Sequence, residues 1–190
     1  MPVLAQLRER FERDRPLDGI HVAACLHVTA ETANLIRTLT AAGARAAVCS
    51  ANPLSVQDDV AAALVAHDQI EVRAQRGEDL DAYASHVNSL LANRPQITLD
   101  DGADLMITAH AAGSLDGLIG GIEETSTGLV RLRRLEHRGE LKRPVLAANE
   151  ARTERALNDR HGTGQSALDG IVRASHVLLA GHTVVVIGYG

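Results

Sequence analysis

The sequence predicts an α/β fold built on a mainly parallel sheet. Short apolar runs of strand length alternate along the chain with stretches of helical periodicity, which is the pattern of such sheets. Of the 190 residues, 45% are hydrophobic, enough to build the core of one large domain or of one domain plus a fragment. Polar residues directly follow several apolar runs, as expected where parallel strands end at a ligand-binding edge.

The elements follow one another from the amino terminus. Residues 20–26 (IHVAACL) predict a buried strand, and residues 30–42 predict a helix that stops at Gly43. The other predicted strands are residues 45–49, 70–73, 97–100, 144–148 and 183–187, and the other predicted helices are residues 57–66, 80–92, 127–138 and 165–180. This alternation predicts a Rossmann-like, doubly wound sheet with helices on both faces and right-handed crossovers.

Composition disfavours several classes of function. The net charge is -5, no basic stripe is present and aromatic residues make up only 2%, so nucleic acid is not expected as a partner. Cys25 and Cys49 lie in apolar runs and predict buried, reduced thiols. The charged amino terminus contains no signal core, and no run approaches the roughly 18 apolar residues that a membrane helix needs, so we expect a cytoplasmic protein without a membrane partner. The nine histidines show no metal-ligand spacing.

Polar clusters mark the ends of the predicted strands. They are residues 27–32 (HVTAET), 52–59 (NPLSVQDD), 100–104 (DDGAD), 120–128 (GGIEETSTG) and 149–150 (NE). In a doubly wound sheet these clusters converge on one edge. A histidine and two or more carboxylates in one crevice would form an acid–base site.

Each cluster also has a purely structural interpretation. His27 would then be a structural histidine and Thr29 a helix cap. Residues 100–102 would form an ordinary turn, residues 123–125 would place acids at a helix amino terminus, and residues 52–53 would initiate a turn. Both interpretations stand at this point.

The end of the chain carries a further signal. Residues 184–190 (VVVIGYG) form an apolar run that leads into Gly188 and Gly190, a G-x-G pattern. In a dinucleotide-binding fold this turn lets a pyrophosphate approach the backbone. The alternative is a last strand followed by a tail.

Six stretches together resemble the S-adenosyl-L-homocysteine hydrolase family. They are LHVTAET (26–32), NPLSVQDDVAAAL (52–64), LDDGADL (99–105), GGIEETSTG (120–128), NDRHGTGQSALDGI (158–171) and VVVIGYG (184–190). They stand in the order and spacing of the family, and the resemblance covers roughly residues 20–190.

The resemblance implies an NAD-dependent thioether hydrolase that acts on a small-molecule nucleoside. NAD would oxidise the ribose 3′-hydroxyl, homocysteine would leave by elimination, water would add, and the ketone would be reduced again, giving adenosine and homocysteine. Residues 1–182 would be a substrate-binding domain, and residues 183–190 would be the first strand and G-x-G turn of a truncated NAD-binding domain. The full-length protein would be a homo-oligomer, and the 190-residue piece alone would be inactive.

The resemblance also assigns roles to single residues. The implied catalytic residues are His27, Asp101 and Glu124, the implied substrate-binding residues are Thr29, Glu31, Gln57 and Thr163, and the implied NAD-binding residues are Thr125, Ser126, Thr127, Asp159, Gly188 and Gly190.

Two further catalytic positions depart from the family. Glu154 stands where the family has a lysine, and Asn158 stands where it has an aspartate; these two residues normally hold the 3′-hydroxyl during oxidation. A shift of the alignment by two residues would instead make Arg152 the cation. The departures leave open a substrate-altered or non-catalytic nucleoside-binding relative.

Overall fold

The computed structural model describes residues 1–188, which form two compact units. The first unit comprises Met1–Asn149, and the second begins at Glu150. The expected domain boundary after residue 182 stays a prediction.

Six parallel strands in the first unit form one sheet. They are β1 (His21–Leu26), β2 (Arg45–Ser50), β3 (Glu71–Arg73), β4 (Ile97–Asp100), β5 (Gly120–Glu123) and β6 (Val145–Ala147). The strand order is β3-β2-β1-β4-β5-β6, and every neighbouring pair is parallel. This is the doubly wound order, so the predicted fold class is confirmed.

Helices precede and connect these strands. They are α1 (Pro2–Asp14), α2 (Ala30–Ala41), α3 (Asp58–Asp68), α4 (Leu80–Ala92), α5 (Asp104–Ala112) and α6 (Ser126–His137). The second unit contains a π-helix (Glu154–Gly162) that continues into α7 (Thr163–Ser175). Gly43 and Gly139 follow α2 and α6 with φ of 97° and 69°, a left-handed conformation that glycine adopts without strain.

The strands bury alternate residues on opposite faces of the sheet. On one face Ala23, Cys25 and Cys49 pack against helices α4 and α5, and on the other Ala24 and Leu26 pack against α2 and α3. Fully buried Ile36 and Leu64 anchor α2 and α3 to the sheet. Each such side chain contributes about 1.5–3 kcal/mol by leaving water. Cys25 and Cys49 are cross-strand partners, and both are buried free thiols as predicted.

The structure differs from the sequence prediction in several elements. Helix α1, strand β5, helix α5 and the π-helix were not predicted, and α7 ends at Ser175 because His176 adopts a left-handed φ of 54°. The predicted strand over residues 183–187 is not formed. A strand needs a neighbour for its backbone hydrogen bonds, and residues 184–187 are 59–97% exposed with no strand beside them in the described part of the chain. Within residues 1–188 no helix is long and apolar enough to span a membrane.

Candidate active site

The central feature of the site is a histidine–aspartate pair at the switch point of the sheet. His27 directly follows β1 and Asp101 directly follows β4, the two neighbouring strands whose succeeding helices pack on opposite faces. Nε2 of His27 lies 3.1 Å from Oδ2 of Asp101. The Asp101 side chain is 17% exposed and the His27 side chain 42%, so the pair is shielded on the aspartate side and open on the histidine side.

The second ring nitrogen of His27 is also held. Nδ1 lies 2.5 Å from Oγ of Ser55, and the Ser55 hydroxyl donates to the backbone carbonyl of Asn52 at 2.8 Å. Because the single hydroxyl proton of Ser55 goes to Asn52, Nδ1 of His27 is the donor toward Ser55 in this network. Nε2 of His27 then faces the carboxylate of Asp101 at 3.1 Å, and a proton placed between these two atoms would make them a proton donor and acceptor.

A carboxylate lies at the edge of the same site. Glu31 is exposed in the first turn of α2, and Thr29 is the residue before that helix. The Thr29 hydroxyl donates to the Glu31 carboxylate and, with the backbone amide of Glu31, holds the pKa of that carboxyl below its usual value. Glu31 is therefore an ionised acceptor, suited to an amine donor on a ligand. Thr29 makes no side-chain cap bond to α2, so the interpretation of Thr29 as a simple helix cap does not hold.

His27, Ser55, Thr29 and Glu31 share one cleft of about 640 Å³, and Asp101, which is not in its lining, contacts His27. Its polar lining is His27, Thr29, Glu31, Thr32, Ser55 and Glu124, and its apolar lining is Met1, Leu4, Leu26 and Leu35. Its volume and mixed lining suit a small polar ligand with an apolar ring. The structure thus brings together His27, Asp101 and Glu124, as well as Thr29 and Glu31.

Other predicted residues lie outside this cleft. Gln57 is the exposed residue that precedes α3 and is absent from the lining of the cleft. Thr125 caps α6, its hydroxyl accepting the amide of Gly128, and Ser126 and Thr127 are exposed in the first turn of that helix. Gly188 has a left-handed φ of 104°, and Gly190 lies outside the described residues.

Two buried carboxylates lie directly beneath the site. Asp100 and Glu123 are register partners at the carboxyl ends of β4 and β5, exposed by 2% and 0%. Both oxygens of Asp100 accept backbone amides at the start of α5, from Leu105 at 2.9 Å and Met106 at 3.2 Å. Burial raises the pKa of Asp100 to about 7, and the charge of Glu123 adds to this effect while the two amides oppose it.

The remaining predicted residues lie in the second unit. In the π-helix, Nδ2 of Asn158 donates to Oε1 of Glu154 at 2.6 Å, and the Thr163 hydroxyl donates to the Asn158 carbonyl at 3.3 Å. A β-carbon at Gly162 would lie 2.5 Å from Oδ1 of Asn158, so a larger residue there would require the Asn158 side chain to move. Asp159 is exposed. Glu154, Asn158 and Thr163 therefore form one local cluster, and π-helical turns often occur at functional sites.

Sequence reasoning missed several contributors to the first unit's site. Ser55 stood within a predicted polar cluster, but nothing in the pattern distinguished its hydroxyl from its neighbours. Glu123 stood beside Glu124, and only burial separates the two carboxylates. Met1 and Leu4 reach the cleft because α1 packs on α2, a contact between elements that periodicity does not predict.

The fold and the cleft define a class of protein. A doubly wound parallel sheet with an acid–base pair and a ligand-sized cleft at its switch point is typical of α/β domains that bind small polar ligands.

Comparison with known proteins identifies the family. A family model described as S-adenosyl-L-homocysteine hydrolase matches residues 1–116. All of this chain matches 46% of an adenosylhomocysteinase from Aquifex aeolicus at 51% identity, and 45% of one from Thermosynechococcus vestitus at 52% identity. All of it also matches 45% of an S-inosyl-L-homocysteine hydrolase from Methanopyrus kandleri at 49% identity. The chain belongs to the S-adenosyl-L-homocysteine hydrolase family, and it spans less than half the length of these curated relatives.

Proposed function

We propose that the protein containing this chain hydrolyses a nucleoside thioether, S-adenosyl-L-homocysteine or a close relative, to a nucleoside and homocysteine. The observation that carries the proposal is the His27–Asp101 pair, with 3.1 Å between Nε2 and Oδ2, beside a cleft that also contains Glu124 and Glu31. Acid and base groups in one cleft provide the proton transfers that elimination and addition require.

The cleft residues divide into a sugar side and a base side. His27 and Asp101 would hold and transfer a proton next to the ribose, and Glu124 would face its hydroxyls. Glu31, kept ionised by Thr29, would accept the exocyclic amine of adenine, and the apolar wall of Leu4 and Leu35 would cover the flat ring. These roles keep the assignment that the sequence resemblance implied.

NAD is the proposed cofactor. One feature of the residues present fits it: Gly188 has a left-handed φ of 104°, a conformation that glycine adopts without strain and that a tight glycine turn before a pyrophosphate uses. The sequence resemblance implies NAD contacts for Thr125, Ser126 and Thr127 in the first unit and, separately, for Gly188 and Gly190 in the second. The chemistry that bound NAD supplies is reversible hydride transfer from the ribose.

Product analysis of the intact protein tests the proposal. S-adenosyl-L-homocysteine or S-inosyl-L-homocysteine is added with NAD, and nucleoside and homocysteine are separated by chromatography. We expect adenosine and homocysteine from the first substrate, because the hypoxanthine oxygen of the second would face the Glu31 carboxylate. Glu31→Gln removes that repulsion and should reduce the preference for the adenine substrate by about tenfold or more. Failure to release homocysteine from either substrate would refute the proposal.

A non-catalytic or substrate-altered relative is the second candidate. The Glu154–Asn158 bond of 2.6 Å favours it, because an acceptor and an amide stand where the family has a cation and a carboxylate. This candidate predicts that calorimetric titration detects adenosine binding while no homocysteine is released. If ordinary activity is limited by these two positions, Glu154→Lys combined with Asn158→Asp should increase it. No gain in a folded double variant would count against this alignment of residues 154 and 158.

Location and assembly remain predictions. We propose a cytoplasmic protein that forms a homo-oligomer when full-length and has neither a nucleic-acid nor a membrane partner. Size-exclusion chromatography with light scattering on the intact protein measures the oligomeric state. A strictly monomeric intact protein would contradict the assembly part of the proposal.

A further inference from the structure

The turn that carries Asp101 is held in an unusual backbone conformation. Gly102 has a φ of 111° and Ala103 a φ of 67°, so two successive residues lie in the left-handed region. Ala103 is also fully buried. For a residue with a β-carbon this conformation costs about 1–2 kcal/mol, and it persists only where neighbouring groups fix it.

Glu123 fixes the turn from the amide side. Its Oε1 accepts the Gly102 amide at 2.9 Å, and it also accepts the Thr125 amide at 2.9 Å and the Thr125 hydroxyl at 2.7 Å. One buried oxygen therefore joins the turn after β4 to the turn after β5, which carries Glu124. A fully buried carboxylate is costly without such donors, so the three bonds to Oε1 offset part of that cost, whereas Oε2 is buried without a hydrogen-bond partner among the described residues.

Arg131 fixes the same turn from the carbonyl side. Its Nη1 donates to the Gly102 carbonyl and to Oδ1 of Asp104, the latter at 2.7 Å. The other oxygen of Asp104 accepts the Tyr83 hydroxyl at 2.5 Å, so Asp104 is itself held in place. Both sides of the Gly102 peptide backbone are thus bonded to residues of β5 and α6.

We propose that Glu123 and Arg131 are positioning residues that hold the 101–103 turn so that the Asp101 carboxylate stays within reach of Nε2 of His27. Neither residue lines the cleft, and both act through Asp101. The kinetic part of this inference rests on the proposed function. A displacement of about 1 Å at a reacting group can lower turnover by about 100-fold, so bonds remote from the substrate can matter this much.

The intact protein is compared with three variants and a control. Arg131→Met keeps most of the side chain but removes the donor, and because the Arg131 side chain is 38% exposed this variant should fold. Arg131→Lys restores a donor, and Glu123→Gln tests the buried partner. Arg134→Met is the matched control, since Arg134 is an exposed residue of the same helix. Two kinds of measurement are made. The first is kcat and KM for the nucleoside thioether, and the second is the NMR signals of the His27 ring nitrogens in ¹⁵N-histidine-labelled protein.

We expect Arg131→Met to lower kcat by about tenfold or more while KM changes by less than about threefold, and to shift the His27 signals. Arg131→Lys should recover part of the loss, and Arg134→Met should match the wild type. Folded Arg131→Met with wild-type kcat and wild-type His27 signals would overturn the inference. The inference would also be overturned if a smaller folded fraction accounted for the whole fall in kcat and the His27 signals stayed unchanged. If the intact wild type converts no thioether, the proposed function fails, and the His27 signals alone decide the inference.

Discussion

Replacing Gly128 by alanine probes the contact between α6 and the buried Glu123 carboxylate. A β-carbon at Gly128 would lie 2.2 Å from Cδ of Glu123 and 2.4 Å from each carboxylate oxygen. Carbon atoms pack at about 3.5 Å or more, so the carboxylate must move by more than about 1 Å. That movement breaks its bonds to Gly102 and Thr125.

Two opposing effects decide the size of the change. Alanine is favoured over glycine within a helix by at most about 1 kcal/mol. A hydrogen bond to a charged group contributes about 1.5–3 kcal/mol, so the loss of even two of these three bonds costs about 3 kcal/mol or more. Gly128→Ala should therefore lower the free energy of unfolding by about 2 kcal/mol or more. For a unit of this size the melting temperature should fall by about 4–8 °C.

Urea unfolding followed by circular dichroism measures this change. Gly170→Ala serves as the control, because Gly170 is helical and open space surrounds the position of its missing side chain. That variant should leave its helix equally stable or up to about 1 kcal/mol more stable. If Gly128→Ala proves as stable as the wild type, the steric argument is wrong.

Three further predictions concern stability and turnover. The pKa of Asp100 is about 7 in the folded protein against an ordinary value of 3.8, so the native state binds more protons between these values. The contribution of Asp100 to the free energy of unfolding is therefore complete below about pH 4 and is lost as the pH rises to about 7. Urea unfolding at several pH values measures this fall, and Asp100→Asn should remove it. His27→Ala should lower turnover by about 100-fold or more with little change in melting temperature, because the side chain is 42% exposed. Leu64→Ala should destabilise the first unit by about 2–5 kcal/mol in urea unfolding, because Leu64 is fully buried.

Each of these predictions has a contrary outcome. A pH slope that survives Asp100→Asn would assign the titration to another group. A lost thermal transition in His27→Ala would favour the interpretation of His27 as a structural histidine. A cost below about 1 kcal/mol for Leu64→Ala would mean that the contacts around α3 rearrange to fill the cavity.

The elements with a strong apolar period were predictable from the sequence. Strand β1 and helix α2 were expected at residues 20–26 and 30–42 and occur within one residue of those bounds. Strand β5 was missed because Gly120–Glu123 contains a single large apolar residue. It forms because its backbone pairs in parallel with β4 and β6, and glycine suits position 121 since a side chain there would lie 2.5 Å from Cε of Met106.

Helix α5 was missed for a related reason. Its sequence DLMITAHAA is apolar on most sides, so no amphipathic period marks it, and it starts after the left-handed Ala103. Residues 183–187 show the reverse case, since a run of β-branched residues resembles a strand whether or not a neighbouring strand pairs with it.

The candidate site was predictable where the order of the strands in the sheet decides which residues lie close together. His27 and Asp101 follow neighbouring strands, so the doubly wound order alone brings them together. Ser55 and Glu123 could not be assigned in this way, because their roles depend on side-chain direction and burial. The sequence pattern contains neither property.

The two thiols at the middle of the sheet have a practical consequence. Cys25 and Cys49 face each other across β1 and β2, and the neighbouring Cys49 together with burial raises the pKa of Cys25 well above its ordinary value. Neither sulfur is accessible in the folded protein, and the sequence contains no other cysteine. Their labelling by a thiol reagent would therefore report how often the centre of the sheet opens, without any engineered probe.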